Sequence, residues 1–377
     1  MHSEQRAIAD GLLRSHGINC ALFANPLSVG WLTGYVPPVP LGGRSPFSGG
    51  PLLVWYAGGE FVFIVPDTAA ADAAASACPL VTYTTYSVDE PIAGAVHLAD
   101  VLRAVAGRSA LTSTAVGVEA VDLPVSLWSV ILAGLPSTCA VVHIDGWLKP
   151  HQMIKTEAEI AALRASFALT DVGHHAARGA VRAGRREIDV WTDVEAAIQR
   201  AAGRRLSLGN DCVVGYRQNN VGGWPEDLEI RAGDAVIVDL SVVYRGYHSD
   251  SAATYYAGEP SAKQQDMHRT VARALEQGLA LIKPGAVACD IDRSVRQCIA
   301  AAGHPVYAHH TGHGVGLSPH EDPRIVPYNR QVLAQGMVLM LEPGIYYPGE
   351  TGVRLEDAVL VTDTGAEVLT HHDKSLP

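Results

Sequence analysis

The chain has no apolar run near the ~20 residues that a membrane span needs. Its best candidate, Val125 to Leu135, is broken by serines and a tryptophan. Positive charge is also scarce: 28 Lys and Arg face 39 Asp and Glu, for a formal net charge of −11 and a pI near 5.8. That balance argues against nucleic acid and against an anionic membrane as partners. The six cysteines (Cys20, Cys78, Cys139, Cys212, Cys289, Cys298) include no CxxC pair, which removes the usual thiolate metal sites and any obvious disulfide framework. They read as small buried apolar residues in a reducing compartment. The opening MHSEQRAIAD is polar at once, so no secretory leader is expected and a cytoplasmic protein is.

Charged residues make up only 18% of the chain and hydrophobic ones 48%, which excludes a disordered or coiled-coil protein. A length of 377 residues exceeds one ordinary core, so two domains are expected. The first 150 residues alternate short apolar strands with helical stretches. Ala21 to Ala24 reads as a strand, Leu52 to Trp55 with Phe61 to Val65 as a hairpin around Ala57-Gly58-Gly59, and Thr68 to Ala77 as a helix. Between them, Val36 to Pro51 holds too many prolines and glycines for a regular element and reads as a long surface loop of functional length.

Near residue 150 the pattern changes. Thr156 and Glu159 form a capping box ahead of a long amphipathic helix on which Ile160, Leu163, Phe167 and Val172 recur at helical spacing. His174 and His175, near its end, read as surface or packing residues. Further helices are expected from Ile188 toward Arg200, over Ala262 to Ile282 and over Asp290 to Ala302, with strands dominating otherwise from Cys212 onward.

Asp239 lies inside the apolar strand Val236 to Leu240, where a bare carboxylate is costly. A reversal centred between Tyr244 and Arg245 sets it directly opposite Asp250, with Cβ atoms ~5 Å apart. Like charges that close repel by roughly 4 kcal/mol at an effective dielectric of 20. A cation between them is the simplest remedy. Glu342 ends a second apolar strand at Pro343-Gly344, and Glu356 follows in a returning strand with Arg354 on its face. Asp357 points the other way and reads as an exposed or strand-end acid. The four acids Asp239, Asp250, Glu342 and Glu356 balance the charge of two divalent cations, and paired cations generate hydroxide and clamp a carbonyl.

One imidazole for such a site is supplied by HHTGHGVGLSPHEDP, His309 to Pro323. His313, between Gly312 and Gly314, is the candidate ligand because its neighbours allow close backbone approach. His309 and His320 flank it as candidate catalytic groups, and His310 reads as solvated. Oxygen-rich donors with one imidazole suit Mn²⁺, with Co²⁺ or Zn²⁺ also accommodated.

Taken together, Asp239, Asp250, GHG with His313, HE with His320, EPG with Glu342 and VRLED with Glu356 resemble the pita-bread metallopeptidases, which include Xaa-Pro aminopeptidases, Xaa-Pro dipeptidases and creatinase. The resemblance spans nearly the whole chain. It implies an α/β (α+β) protein, with a small mixed α/β creatinase-type domain over 1–150 and a pita-bread catalytic domain over 151–377. It implies Asp239, Asp250, His313, Glu342 and Glu356 as ligands of two metal ions, with Asp250 and Glu356 bridging. Glu342 is then the general base for a bridging hydroxide, His320 and His309 donate hydrogen bonds to the tetrahedral state, and Arg354 orients an acidic ligand. The implied substrate is a short Xaa-Pro peptide or dipeptide cut behind its N-terminal residue, and a homodimer is implied.

The pattern breaks in two places. Proline-directed members carry a further histidine before the first metal strand, whereas VVGYRQNNVGGWPEDLEIRAGD places Gly222 or Gly223 there. Tyr216, Arg217, Asn219 and Asn220 are the alternative donors, and Trp224 is a candidate apolar wall or core residue. The usual Thr-Arg after the second aspartate is also replaced, in DSAATYY. The missing histidine brings in one alternative, a non-peptidase hydrolase or lyase acting on a small non-peptide substrate; a catalytically silent binding protein is a second, which the presence of all five ligands disfavours.

Overall fold

Alternation of short apolar strands and helices in the first part of the chain builds a single mixed sheet. Its six strands run in the order Leu80–Tyr83, Glu60–Pro66, Leu53–Ala57, Cys20–Phe23, Ala115–Val118 and Ala140–His143. The hairpin turns at Gly58 and Gly59, since Ala57 pairs with Glu60. The computed structural model describes residues 2–37, 50–76, 78–107, 114–134, 137–209, 211–217 and 222–377, and the chain divides into compact units of Met1–Gln152 and Met153–Pro377. Residues 38–49 of the expected long loop lie outside the described residues, as do Asn219 and Asn220. The helix expected over Thr68 to Ala77 shrinks to a 3-10 turn at Asp67–Ala69 and one α-turn at Ala70–Ala73, with Ala77 outside the described residues. Alanine favours a helix, but so short a segment adds few hydrogen bonds per residue fixed.

In the second unit the long helix is Glu157–Ala180, opened by the capping box of Thr156 and Glu159. Ile160, Leu163 and Phe167 are buried on its inner face, while Val172 is exposed, because the buried face continues through Thr170, Gly173, His174 and Ala177 and Val172 lies off it. Ser166 fastens this helix to the sheet, donating to the carbonyls of Val242 and Tyr247 at 3.0 Å each. Three further helices follow, Glu187–Ala202, Ala262–Leu279 and Ala288–Ala301. Among the described residues no helix is long and apolar enough to cross a membrane.

Two curved sheets carry the chemistry-bearing strands. In the first, Ala235–Tyr244 pairs with Ser251–Tyr256, Ser207–Gly209, Cys212–Val214 and Tyr247–His248. In the second, the order is Glu321–Ile325, Gly312–Gly314, Val338–Leu341, Asp357–Val361 and Ala366–Val368. A separate hairpin joins Gly344–Tyr347 to Thr351–Arg354. That hairpin bonds to the first sheet through Thr254, whose hydroxyl donates to the Arg354 carbonyl and accepts from its N–H, both at 3.0 Å. The Glu356 N–H donates to the carbonyl of Ala252 at 2.9 Å.

The expected register of the acidic hairpin is corrected. Tyr244 pairs with Tyr247, so the turn is Arg245-Gly246, with positive φ of 53° and 86° at its two central residues. A two-residue hairpin turn with the sheet's twist demands that conformation, and glycine accepts it without steric cost. Asp239 consequently faces Ala252 rather than Asp250. The two aspartates still share one face, as diagonal neighbours.

Candidate metal centre

Backbone pairing places Asp239 in the middle of a strand and the other three acids beside strand ends. Asp239 lies within Ala235–Tyr244 and Asp250 immediately precedes Ser251–Tyr256. Glu342 follows Val338–Leu341, its N–H donating to the Thr311 carbonyl at 2.9 Å, and Glu356 stands between Thr351–Arg354 and Asp357–Val361. His313 pairs with Met340 on the neighbouring strand. The reason for its flanking glycines lies in that pairing. A Cβ on Gly312 would stand 1.9 Å from the Met340 carbonyl oxygen, and one on Gly314 would stand 2.3 Å from that of Asp322. The close approach is thus to the adjacent strands.

All five groups are buried and they converge. The His313 Nε2 is 3.8 Å from Asp250 Oδ2 and 3.5 Å from Glu342 Oε1. One donor atom each from Asp250, His313 and Glu356 lies within 4.8 Å of the others. The Asp250 carboxyl is driven well above the usual carboxylate range by burial, then by the charges of Asp239 and Glu342. Glu356 is driven the same way by burial and by Asp250, Asp239 and Glu342. Glu342 behaves oppositely. Burial alone would raise it, but the hydrogen bond from His310 and the neighbouring imidazoles outweigh that and bring it down to about 2.

The residues fit a divalent cation. Glu356 Oε2 is buried with no hydrogen-bond partner among the described residues, which is expensive for a carboxylate unless something positive occupies its lone pairs. His313 donates from Nδ1 to the Gly314 carbonyl at 2.9 Å, so its Nε2 carries the free lone pair and faces the acids. A set of carboxylate oxygens with one such imidazole matches the hard and borderline divalent ions.

Arg354 stands beside the acids rather than among them. Its Nη1 is 2.5 Å from Asp239 Oδ2 and 3.5 Å from Asp211 Oδ2, and its Nε donates to the Tyr346 hydroxyl at 2.9 Å. Tyr346 in turn reaches His309 Nε2 at 3.0 Å, while His309 Nδ1 donates to the His310 carbonyl at 2.7 Å. The only N–H of a neutral His309 is therefore spent on that carbonyl. Its expected part as a hydrogen-bond donor to the tetrahedral state is corrected to that of an acceptor that orients Tyr346.

His310 is not solvated. Its Nε2 sits 2.8 Å from Glu342 Oε1 and its ring meets those of His313 and His320 edge-on. His320 is exposed at the rim, 4.2 Å from His313 between ring centroids. Asp357 is buried rather than exposed, because Thr370 Oγ1 donates to it and Lys374 pairs with it, both at 2.6 Å. His174 is fully buried, stacked at 3.8 Å on His372, whereas His175 is exposed. Trp224 is neither wall nor core; it is 81% exposed.

Asp211 is a residue that sequence reasoning missed. Its N–H and carbonyl exchange hydrogen bonds with those of Asp239, each at 2.9 Å, and its carboxyl is pushed up to about 6 by burial and by Asp239. It also lies beside one of the two glycines at the expected histidine place. Gly222, with φ of 116°, lies so close that a Cβ there would be 1.6 Å from Asp211 Oδ2. Arg217 is turned to Glu187 at 2.6 Å and to Glu226 at 2.9 Å.

The acid-and-imidazole centre has counterparts. Residues 161–363 match the model of metallopeptidase family M24. The chain belongs to that family. Residues 7–154 match the creatinase/prolidase N-terminal domain. An Xaa-Pro dipeptidase of Pyrococcus furiosus is 36% identical over 234 residues, 62% of this chain and 67% of that protein. A probable dipeptidase PepE of Mycobacterium tuberculosis is 36% identical over 275 residues, 65% of this chain and 71% of that protein. The solved prolidase from Pyrococcus furiosus superposes with a TM-score of 0.78 at 29% identity, covering 97% of this chain and 99% of that one. The fold is therefore the mixed α/β pita-bread architecture behind a creatinase-type N-terminal domain, and the chain is a hydrolase of the metallopeptidase class that uses divalent metal ions.

Proposed function

We propose that this protein is a dinuclear metal-dependent peptidase that releases the N-terminal residue of short Xaa-Pro peptides and splits Xaa-Pro dipeptides. The observation that carries the reading is the buried convergence of Asp239, Asp250, His313, Glu342 and Glu356, with one carboxylate oxygen lacking any partner among the described residues. Asp239, Asp250, His313, Glu342 and Glu356 would hold the two ions. Manganese suits this oxygen-rich set, with cobalt or zinc as substitutes. The names of the relatives, Xaa-Pro dipeptidase and prolidase, support the substrate class.

Bound divalent ions supply hydroxide at neutral pH and withdraw charge from the attacked carbonyl. The chain's own residues do the rest. Glu342 accepts a proton at its carboxylate and returns it to the departing nitrogen. His320, exposed at the rim, turns an N–H toward the developing oxyanion or the leaving group. Arg354 holds Asp239 in place, and Tyr346 and His309 hold Arg354. The substrate is a short peptide, the working form a homodimer and the compartment the cytoplasm, where six free cysteines remain reduced.

One observation favours a second reading. Asp211 stands against Gly222, in the region where the resemblance places a histidine, so that region offers a buried carboxylate and no imidazole. That favours a non-peptidase hydrolase or lyase working on a small substrate with the same metals. Incubating the manganese-loaded protein with Ala-Pro, a longer Xaa-Pro peptide and a non-proline dipeptide separates the two. Cleavage of the Xaa-Pro bonds alone is expected; metal-loaded protein that cuts none of them supports the second reading.

A further inference from the structure

His310, His313 and His320 gather on one side of the acidic cluster. Their ring centroids are 5.2 Å apart for His310 and His313, 5.4 Å for His310 and His320, and 4.2 Å for His313 and His320. One ring nitrogen of each lies within 4.8 Å of the other two. We propose that these three imidazoles form a nitrogen-only cation site for zinc(II) or a similar imidazole-preferring ion, and that it shares His313 with the acidic centre.

The sharing makes the two arrangements alternatives. His313 Nδ1 is committed to the Gly314 carbonyl at 2.9 Å, so Nε2 is its single ligating atom and serves one ion at a time. Carboxylate oxygens draw manganese, whereas imidazoles draw zinc, copper and nickel. Neighbouring nitrogens around a tetrahedral zinc stand roughly 3.4 Å apart with Zn–N of ~2.1 Å. Closing the present set brings nitrogens that now lie within 4.8 Å of one another to that spacing. His320 is exposed and sits between the strands Gly312–Gly314 and Glu321–Ile325, where it has room to turn, and His310 gives up its bond to Glu342. An ion held there takes His313 from the acidic centre and His320 from the substrate, and so inhibits.

This inference rests on the proposed metal centre only through His313. Its test is X-ray absorption at the zinc edge on full-length protein carrying one equivalent of zinc, compared with His310→Ala, His320→Ala and Asp250→Asn. The wild type is expected to show multiple scattering from about three imidazoles. Each histidine variant should lose one ring and bind zinc at least ~10-fold more weakly. Asp250→Asn should retain the imidazole signal while binding manganese poorly. An oxygen-dominated zinc environment, or one that His320→Ala leaves unchanged, overturns the inference, and the exposure of His320 keeps that variant folded. Loss of the imidazole signal in Asp250→Asn overturns it as well. Undiminished manganese binding by Asp250→Asn would instead sink the acidic centre while leaving the imidazole count to decide this site.

Discussion

Arg354 donates to Asp239 at 2.5 Å from a position inside the protein where neither side chain meets much water. The pair is pinned on the arginine side by Tyr346 and on the aspartate side by the backbone pairing with Asp211. This charge-assisted hydrogen bond, with the Nε bond to Tyr346, holds Asp239 in a fixed orientation. Arg354→Lys keeps the charge but loses the planar guanidinium that makes both bonds. We expect kcat/KM and manganese affinity to fall together by about 10–100-fold, measured by Ala-Pro turnover and by competition with a chelator. Unchanged affinity would leave Arg354 outside the metal centre.

His320 has the opposite profile. It is exposed and belongs to the reacting edge, so His320→Ala should lower kcat by roughly 100-fold while manganese affinity stays within about 2-fold. Steady-state kinetics beside a manganese titration separates the two effects. Normal turnover in that variant removes His320 from the mechanism.

The acids were legible because strand burial makes a lone carboxylate conspicuous, and four of them in apolar strands leave few explanations. Their relative placement was less so. The hairpin turn slid by one residue, since Arg245-Gly246 satisfies the twist better than a reversal one position earlier, and only the backbone angles reveal that. Asp211 carried no signal at all. It sits outside any motif, and its importance arises from pairing with Asp239 across a sheet. His310 was misread for a similar reason. Loop histidines are mostly solvated, and nothing in the local sequence indicates that this one faces Glu342.

Gly222 tests the Asp211 relationship. Gly222→Ala adds a Cβ 1.6 Å from the carboxylate at a backbone angle that side chains resist, so it should destabilise by about 2 kcal/mol or more. Asp211→Ala removes the collision, and the double variant should recover part of that loss. Chemical denaturation of the four proteins measures it. Strict additivity would mean that the two positions do not meet.

The buried His174 sets a pH dependence far from the substrate edge. Burial, and then the charge of His372, hold it well below 6.5, and its Nε2 donates to the Ser251 carbonyl at 3.0 Å. Below about pH 6.5 the unfolded chain takes up a proton that the folded one refuses. The stability that His174 contributes is complete above that pH and is lost on acidification at about 1.4 kcal/mol per pH unit. Thermal melting of metal-free protein between pH 7 and 5 should show the decline, to which other histidines held low by burial, such as His248 and His268, add, and His174→Phe should lessen its slope by about one proton's share. A variant with the wild-type slope contradicts this assignment.

The account stands on a cation pair held by four carboxylates and His313. Equilibrium dialysis against manganese(II), followed by elemental analysis, measures it directly in the wild type and in Asp250→Asn. The wild type should bind about two ions per chain. Asp250→Asn should lose more than about 100-fold in affinity, beyond what an outlying residue costs, while its metal-free form melts no lower than the wild type because a buried like-charge contact is gone. Wild-type protein that takes up no manganese, or an Asp250→Asn variant that binds it undiminished, contradicts the account.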